Sequence, residues 1–238
     1  MNARPTSNAI PEATPKATPR PIPKATVARL PAYRRALRDA ADAGVRTVAS
    51  GTLARAVGVH PDQVRKDLSH LRTRGVRGVG YDVAALLAET STILGLDEER
   101  VVVLVGVGNL GRALAAYEGF APQGFRLAAL LDVDPALVGT TVGGRTVAHL
   151  DTLATVARRE RADVGVVAVP ADAAQPVVDR MVAAGLRAIL NFAPVHVEVP
   201  DGVAVRRVDL STELQMLSFL RSRQATPGRP EPGTTRGR

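Results

Sequence analysis

The residues of this 238-residue chain with the most chemical potential are three glycines, spaced as Gly106-Val107-Gly108-Asn109-Leu110-Gly111, and Asp132, 21 positions after the last of them. Glycines at this spacing let a polyanion approach bare backbone N–H groups, so the chemistry is pyrophosphate binding. An acid about 20 residues further on accepts hydrogen bonds from a ribose. Asp134 is a second candidate, but Asp132 stands where the apolar run Leu127-Ala-Ala-Leu-Leu stops. A carboxylate there repels a 2′-phosphate, and no Arg immediately follows it, which favours NAD(H) over NADP(H). Asn109 is placed to cap the helix that faces the pyrophosphate. Pro170 ends one further apolar run, and Asn191-Phe192-Ala-Pro194 ends another. These positions fall at one sheet edge, where Phe192 and Pro194 are candidate walls for a nicotinamide.

A dehydrogenase would need a proton-transfer group beside that cofactor. His149 and His196 have no carboxylate partner evident in sequence, and the four histidines have no metal-ligand spacing. The chain has no cysteine, which excludes disulfides, thiolate metal sites and cysteine nucleophiles. Residues 99–207 suffice for a cofactor fold and leave no substrate domain. Binding without turnover is the expectation, so the chain is not expected to be an enzyme.

The elements that must position these residues follow from periodicity. From Val101 onward, apolar runs alternate with amphipathic stretches. Strands are expected at 101–105, 126–131, 163–168, 187–190 and 203–207, and helices at 109–118, 149–160, 172–184 and 208–222. Such alternation predicts a doubly wound α/β domain of Rossmann type over 99–207, with a parallel sheet covered on both faces. In 208–223, Leu210, Leu214, Leu217, Phe219 and Leu220 form an apolar stripe too large to leave exposed on a monomer.

Upstream the pattern changes. Val27, Leu30, Tyr33 and Leu37 fall three or four apart, predicting a helix over 25–43 in which Pro31 sits near the first turn. Ser50 is an N-cap for a second helix, and His60-Pro61-Asp62 opens a third with Val64, Leu68 and Leu71 facing inward. Three glycines and three arginines fill 72–80. These parts make a winged helix-turn-helix over 24–81, whose recognition helix would enter a major groove of double-stranded DNA. Arg65, Lys66 and Ser69 project from its polar side. His60 and Gln63 lie at the end that reaches base edges, and Arg72, Arg74 and Arg77 belong to the wing. A helix over Tyr81–Leu94 reads as a connector, giving a linking segment at 82–98.

Charge supports the division. Residues 24–81 carry twelve Lys/Arg against four Asp/Glu, whereas 82–223 carry thirteen against seventeen. A basic domain beside an acidic one points to a polyanion partner. Residues 1–23, with six prolines, read as a disordered arm, and 224–238 as a disordered tail. No apolar run reaches the roughly 18 residues of a membrane span, and no signal-peptide core is present, so a cytoplasmic location is expected.

Val64-Arg-Lys-Asp-Leu-Ser69, Arg77-Gly-Val-Gly-Tyr-Asp-Val83, the glycine turn 106–111, Asn191-Phe-Ala-Pro194 and Val208-Asp-Leu-Ser-Thr-Glu-Leu-Gln215 occur in an order that closely resembles the Rex family of bacterial redox-sensing repressors. The resemblance runs from about Pro23 to Leu220. It implies a homodimer on a palindromic operator, repressing when NADH is scarce and leaving DNA when NADH displaces NAD⁺. It also implies that the C-terminal helix swaps into the partner subunit. Redox coupling falls by this resemblance on Arg29, Tyr117 and Asp209. Where the family commonly has an aromatic and glycines after Asp-Leu-Ser, this chain has His70-Leu71-Arg72-Thr73-Arg74, which makes the wing more basic. Two alternatives stay open: an NAD-dependent oxidoreductase with an incidental basic helical domain, and a repressor answering to a CoA-type nucleotide.

Overall fold

A computed structural model describes residues 21–224, so the expectations for most of the N-terminal arm and for the tail after 224 lie outside the described residues. The chain divides into two units, 1–97 and 98–238.

The first unit holds α1 (Lys24–Asp42), β1 (Thr47–Val48), α2 (Ser50–Val57), α3 (Pro61–Leu68), β2 (Tyr81–Asp82) and α4 (Val83–Ile93). Leu30, Tyr33 and Leu37 of α1 meet Leu53 and Ala54 of α2, Val64 and Leu68 of α3, and Val83 and Leu86 of α4 in one core. Val27 lies outside it, exposed, and Thr26 is buried instead. The reason is polar, because the Thr26 hydroxyl donates to buried Asp67. Pro31 lies well inside α1 rather than in its first turn. Ser50 is the first residue of α2, with Ala49 at the cap. Tyr81 and Asp82, expected in a helix, instead pair antiparallel with Thr47 and Val48. Asp82 then caps α4 by accepting from the Ala85 N–H at 2.7 Å. α4 packs on α1 and contributes to this core, so it is a fourth wall of the unit rather than a bare connector.

The second unit is a seven-stranded sheet. Its elements are β3 (Arg100–Val105), α5 (Asn109–Ala115), β4 (Phe125–Asp132), β5 (Thr141–Val142), β6 (Arg145–His149), α6 (Leu153–Glu160), β7 (Val164–Val167), α7 (Ala171–Ala183), β8 (Ala188–Asn191), β9 (Ala204–Arg207) and α8 (Leu210–Gln224). The strand order is β5-β6-β4-β3-β7-β8-β9, with every pairing parallel except that of β5 with β6. Order reverses at β3, where one half winds out through β4 and the other through β7. Doubly wound sheets of this Rossmann type place their ligand crevice at such a reversal, beyond the carboxyl ends of the strands. Val101 to Val105 are all buried, as a central strand covered on both faces requires. The edge hairpin β5–β6 was not anticipated in the strand pattern.

Candidate functional site

The three glycines of the 106–111 turn serve three different physical needs. Gly106 has φ +96°, and a Cβ there would collide with the Ala168 carbonyl oxygen. Gly111 brings α5 against β3 so closely that a Cβ would strike the Gly106 carbonyl oxygen. A Cβ on Gly108 would meet nothing within 4 Å. The first and third glycines are therefore demanded by the protein's own backbone. The second leaves open space in front of exposed backbone, as a phosphate cradle requires. α5 is only seven residues long, so the unpaired N–H groups of its first turn matter more here than its dipole. Gly108 occupies the cap position and Asn109 makes no side-chain capping bond, contrary to its expected role.

Asp132 sits at the end of β4 and is tied to the turn. One carboxylate oxygen accepts from the Val107 N–H at 2.6 Å, and the other accepts from the N–H groups of Val133 (2.7 Å) and Asp134 (2.9 Å). The glycine turn and Asp132 are thus tied into one piece, and the carboxylate keeps lone-pair capacity for further donors. Asp134 turns to the Ala136 N–H instead. A cleft of about 510 Å³ opens beside this piece, lined by Gly106, Gly108, Asp132, Val133, Leu137 and Pro170 among others. That volume is in the range of small-molecule and cofactor sites. Val107 and Gly111 are buried and do not line it. Leu110 is exposed outside it, and Phe192 packs into the core beneath β3 and β4. Neither Phe192 nor exposed Pro194 lines the cleft. Buried Asn191 fixes their turn, accepting from the Ala193 N–H and donating to the Val195 carbonyl.

In the first unit, His60 caps α3 by accepting from the Asp62 N–H through Nδ1. Arg65, Lys66 and Ser69 are exposed along one side of the helix. Arg65 donates to the Ser50 hydroxyl at 3.0 Å and pairs with Asp62, which holds its guanidinium on the outer face. The wing is a narrow loop closed by the Val76–Gly80 bridge, with Arg77 at its tip. Arg74 donates to the Ser69 carbonyl at 2.8 Å, strapping the wing to the end of the recognition helix. Glu89 anchors the wing root through the N–H groups of Arg72 (2.5 Å) and Thr73 (2.7 Å) and the Thr73 hydroxyl (2.6 Å), leaving the Arg72 side chain in solvent. Burial alone would raise the Glu89 pKa, but the bonds from Thr73 and Arg72 bring it below the usual carboxylate range. A concavity of about 450 Å³ lies between Arg65, Ser50 and the wing backbone.

The recognition helix is held from behind by an acid that the apolar pattern gave no reason to single out. Asp67 is buried at 1% exposure. It accepts from the Thr26 hydroxyl (2.9 Å), from Arg29 twice (2.6 and 2.7 Å), from the Tyr33 hydroxyl (2.9 Å) and from the Gln63 amide (2.9 Å). Burial pushes its pKa up, but the bonds from Arg29, Tyr33, Thr26 and Gln63 outweigh this and hold it at about 2. Burial and the same carboxylate push the Tyr33 phenol up. Gln63 thus turns one amide N–H inward to the Asp67 carboxylate, and Arg29 is that carboxylate's bidentate partner.

The remaining expected residues lie in the second unit. Tyr117, just past α5, is exposed and stacks edge-on against Phe120 at 5.0 Å. Asp209 immediately precedes α8, accepting from the N–H groups of Ser211 and Thr212 and pairing with Arg207 at 3.1 Å. The bond from Thr212 is the main reason its pKa falls. Among the described residues no group of three or more His, Cys, Asp or Glu could hold a metal ion.

A winged-helix unit with a braced basic recognition helix, followed by a Rossmann-type unit with a nucleotide-sized cleft, defines a class: a DNA-binding regulator that answers to a nucleotide. Family models agree in outline, matching residues 21–69 as "Putative DNA-binding protein N-terminus" and 97–195 as "CoA binding domain". The redox-sensing transcriptional repressor Rex of Streptomyces avermitilis is 54% identical over 202 residues, spanning 85% of this chain and 80% of that protein. The crystal structure of RSP, a Rex-family repressor, with β-NAD⁺ and operator DNA matches at TM-score 0.78 and 35% identity, covering 86% of this chain and 94% of that one. Its complex with β-NADH matches at 0.74 and 34%, covering 85% and 95%. The chain belongs to the Rex family of redox-sensing transcriptional repressors.

Proposed function

We propose that this chain represses transcription as a homodimer on a palindromic operator and leaves the DNA when NADH replaces NAD⁺ in the cleft beside Asp132. The observation that carries the reading is the union of two devices in one chain. One is the glycine turn locked to Asp132 through the Val107 N–H; the other is the basic helix locked to α1 through Asp67. NAD(H) fits the first, since Gly108 leaves the turn open and Asp132 keeps acceptor capacity for a ribose. A 2′-phosphate would meet that carboxylate, so NADP(H) is disfavoured. When bound, the nicotinamide ring supplies the difference in charge and shape between oxidised and reduced ligand that the protein reads. The chain's own part is to bind the dinucleotide without turning over a substrate.

On the DNA, Arg65 and Lys66 reach the major groove and its phosphates, with Ser69 and His60 beside them and Arg72, Arg74 and Arg77 along the wing. Dimerisation falls to α8, where Leu210, Leu214, Met216, Leu217, Phe219 and Leu220 are all about half exposed or more. A second copy of α8 exchanged between protomers is the natural cover for such a face. Tyr117 and Asp209 are the coupling residues of the second unit in this reading. Arg29 is already engaged, so its influence on switching would run through Asp67 and the recognition helix. A cytoplasmic site of action follows from this role. A mobility shift on a palindromic operator, titrated separately with NADH, NAD⁺, NADPH and coenzyme A, tests the whole. Release by NADH alone is expected; release by coenzyme A, or turnover of a small substrate with weak, sequence-independent DNA binding, would overturn it.

A further inference from the structure

The cleft beside Asp132 is lined largely by apolar side chains, among them Val133, Leu137, Leu150, Ala173, Pro176 and Val177. Apolar walls of this kind suit a purine ring. The same lining carries two charged side chains, Asp151 and Arg180, joined at 2.7 Å. The register places Asp132 beside His149, so Asp151 lies two residues beyond the ribose acid's neighbour at the same sheet edge. Its position there is fixed, because the His149 Nδ1 accepts from the Asp151 N–H at 3.2 Å. Of the other acids of the cleft, Asp132 holds three backbone N–H groups and keeps its remaining capacity for the ribose, and Asp134 gives one oxygen to the Ala136 N–H. In Asp151, Oδ1 takes the Arg180 guanidinium. Oδ2 faces the same His149 Nδ1 at 3.3 Å, a nitrogen that is itself accepting a hydrogen bond. Oδ2 is therefore open to a new donor beside the Arg180 guanidinium.

We propose that Asp151, oriented by Arg180, reads the 6-amino edge of the adenine ring and so makes this cleft selective for adenine dinucleotides over their 6-oxo counterparts. Adenine presents an N–H donor at position 6 beside an acceptor at N1. A carboxylate beside a guanidinium presents the complementary acceptor and donors. Hypoxanthine reverses this order, placing its 6-oxygen against the Asp151 carboxylate and losing a charge-assisted bond. The inference rests on the dinucleotide reading above and adds to it the residues that choose the base.

The test is a calorimetric titration of the full-length protein with NADH and with reduced nicotinamide hypoxanthine dinucleotide. Wild type should prefer NADH by roughly tenfold, the scale of one partly exposed charge-assisted bond. Asp151→Asn should bring the ratio close to one, since an amide can accept from the 6-amino group or donate to the 6-oxygen. Arg180→Leu should lower the ratio by releasing Asp151. Operator binding without nucleotide, measured for both variants, reports that they are folded. Equal binding of the two dinucleotides by wild type, or undiminished preference in Asp151→Asn, overturns this inference and leaves the dinucleotide reading intact. Failure of wild type to bind NADH at all overturns the dinucleotide reading, and the inference with it.

Discussion

Replacing Asp67 should separate the architecture of the recognition helix from the chemistry of its outer face. Asp67→Ala removes five hydrogen-bond acceptor contacts and leaves Thr26, Tyr33, Gln63 and the partly covered Arg29 without their common partner. Holding the Asp67 pKa at about 2 against a usual 3.8 corresponds to roughly 2.5 kcal/mol at neutral pH. Breaking a fully buried pair costs about 3–5 kcal/mol. Arg29 keeps 29% exposure and can recover some hydration, so about 3 kcal/mol is expected for Asp67→Ala and about 2 for Asp67→Asn. Because the folded-state pKa is depressed, this contribution is present above about pH 4 and disappears as pH falls towards 2. The assay is urea unfolding followed by far-UV circular dichroism, with NADH affinity as a check on the second unit. Operator affinity should fall while NADH affinity holds. A loss below about 1 kcal/mol, or an equal loss of NADH binding, would refute the claim that Asp67 braces the helix.

The glycines of the turn should respond differently to the same methyl group. Gly111→Ala should destabilise the second unit, because its Cβ collides with the Gly106 carbonyl; Gly108→Ala should fold normally yet bind NADH at least tenfold more weakly, and thermal melts with ligand titration would distinguish the two. Lys66→Ala should weaken operator binding at all sequences and reduce the dependence on log[salt] by about one unit, which fluorescence anisotropy at several ionic strengths would read. Leu217→Asp, placed on the exposed apolar face of α8, should yield monomers by sedimentation with an intact NADH site.

Much of this was legible in the sequence because the signals were local. Val101 to Val105, the glycine turn and Asp132 are consecutive parts of one strand–turn–helix–strand unit, and each came with its own spacing rule. The recognition helix was legible because Val64, Leu68 and Leu71 repeat at helical spacing and throw Arg65 and Lys66 outward. Asp67 was not, although it lies on the inward face, because an apolar template skips a charged residue and its partners Thr26, Arg29 and Tyr33 are some forty positions away. The inward turn of Gln63 follows from that same hidden acid. Tyr81 and Asp82 read as helix in the sequence because they adjoin one, and two-residue strands carry too little periodicity to be seen. The β5–β6 hairpin did carry a signal in Gly143-Gly144, whose φ values of +56° and +75° suit a two-residue turn.

The central claim is that one chain couples a nucleotide cleft to a DNA-reading helix. The most direct measurement is operator affinity with Asp132 intact and with Asp132→Ala, across a titration of NADH at constant total NAD(H). The wild type should release the operator as NADH rises, and the variant should hold it throughout with unchanged affinity in the absence of nucleotide. Release of the variant at the same NADH fraction as wild type would contradict the account.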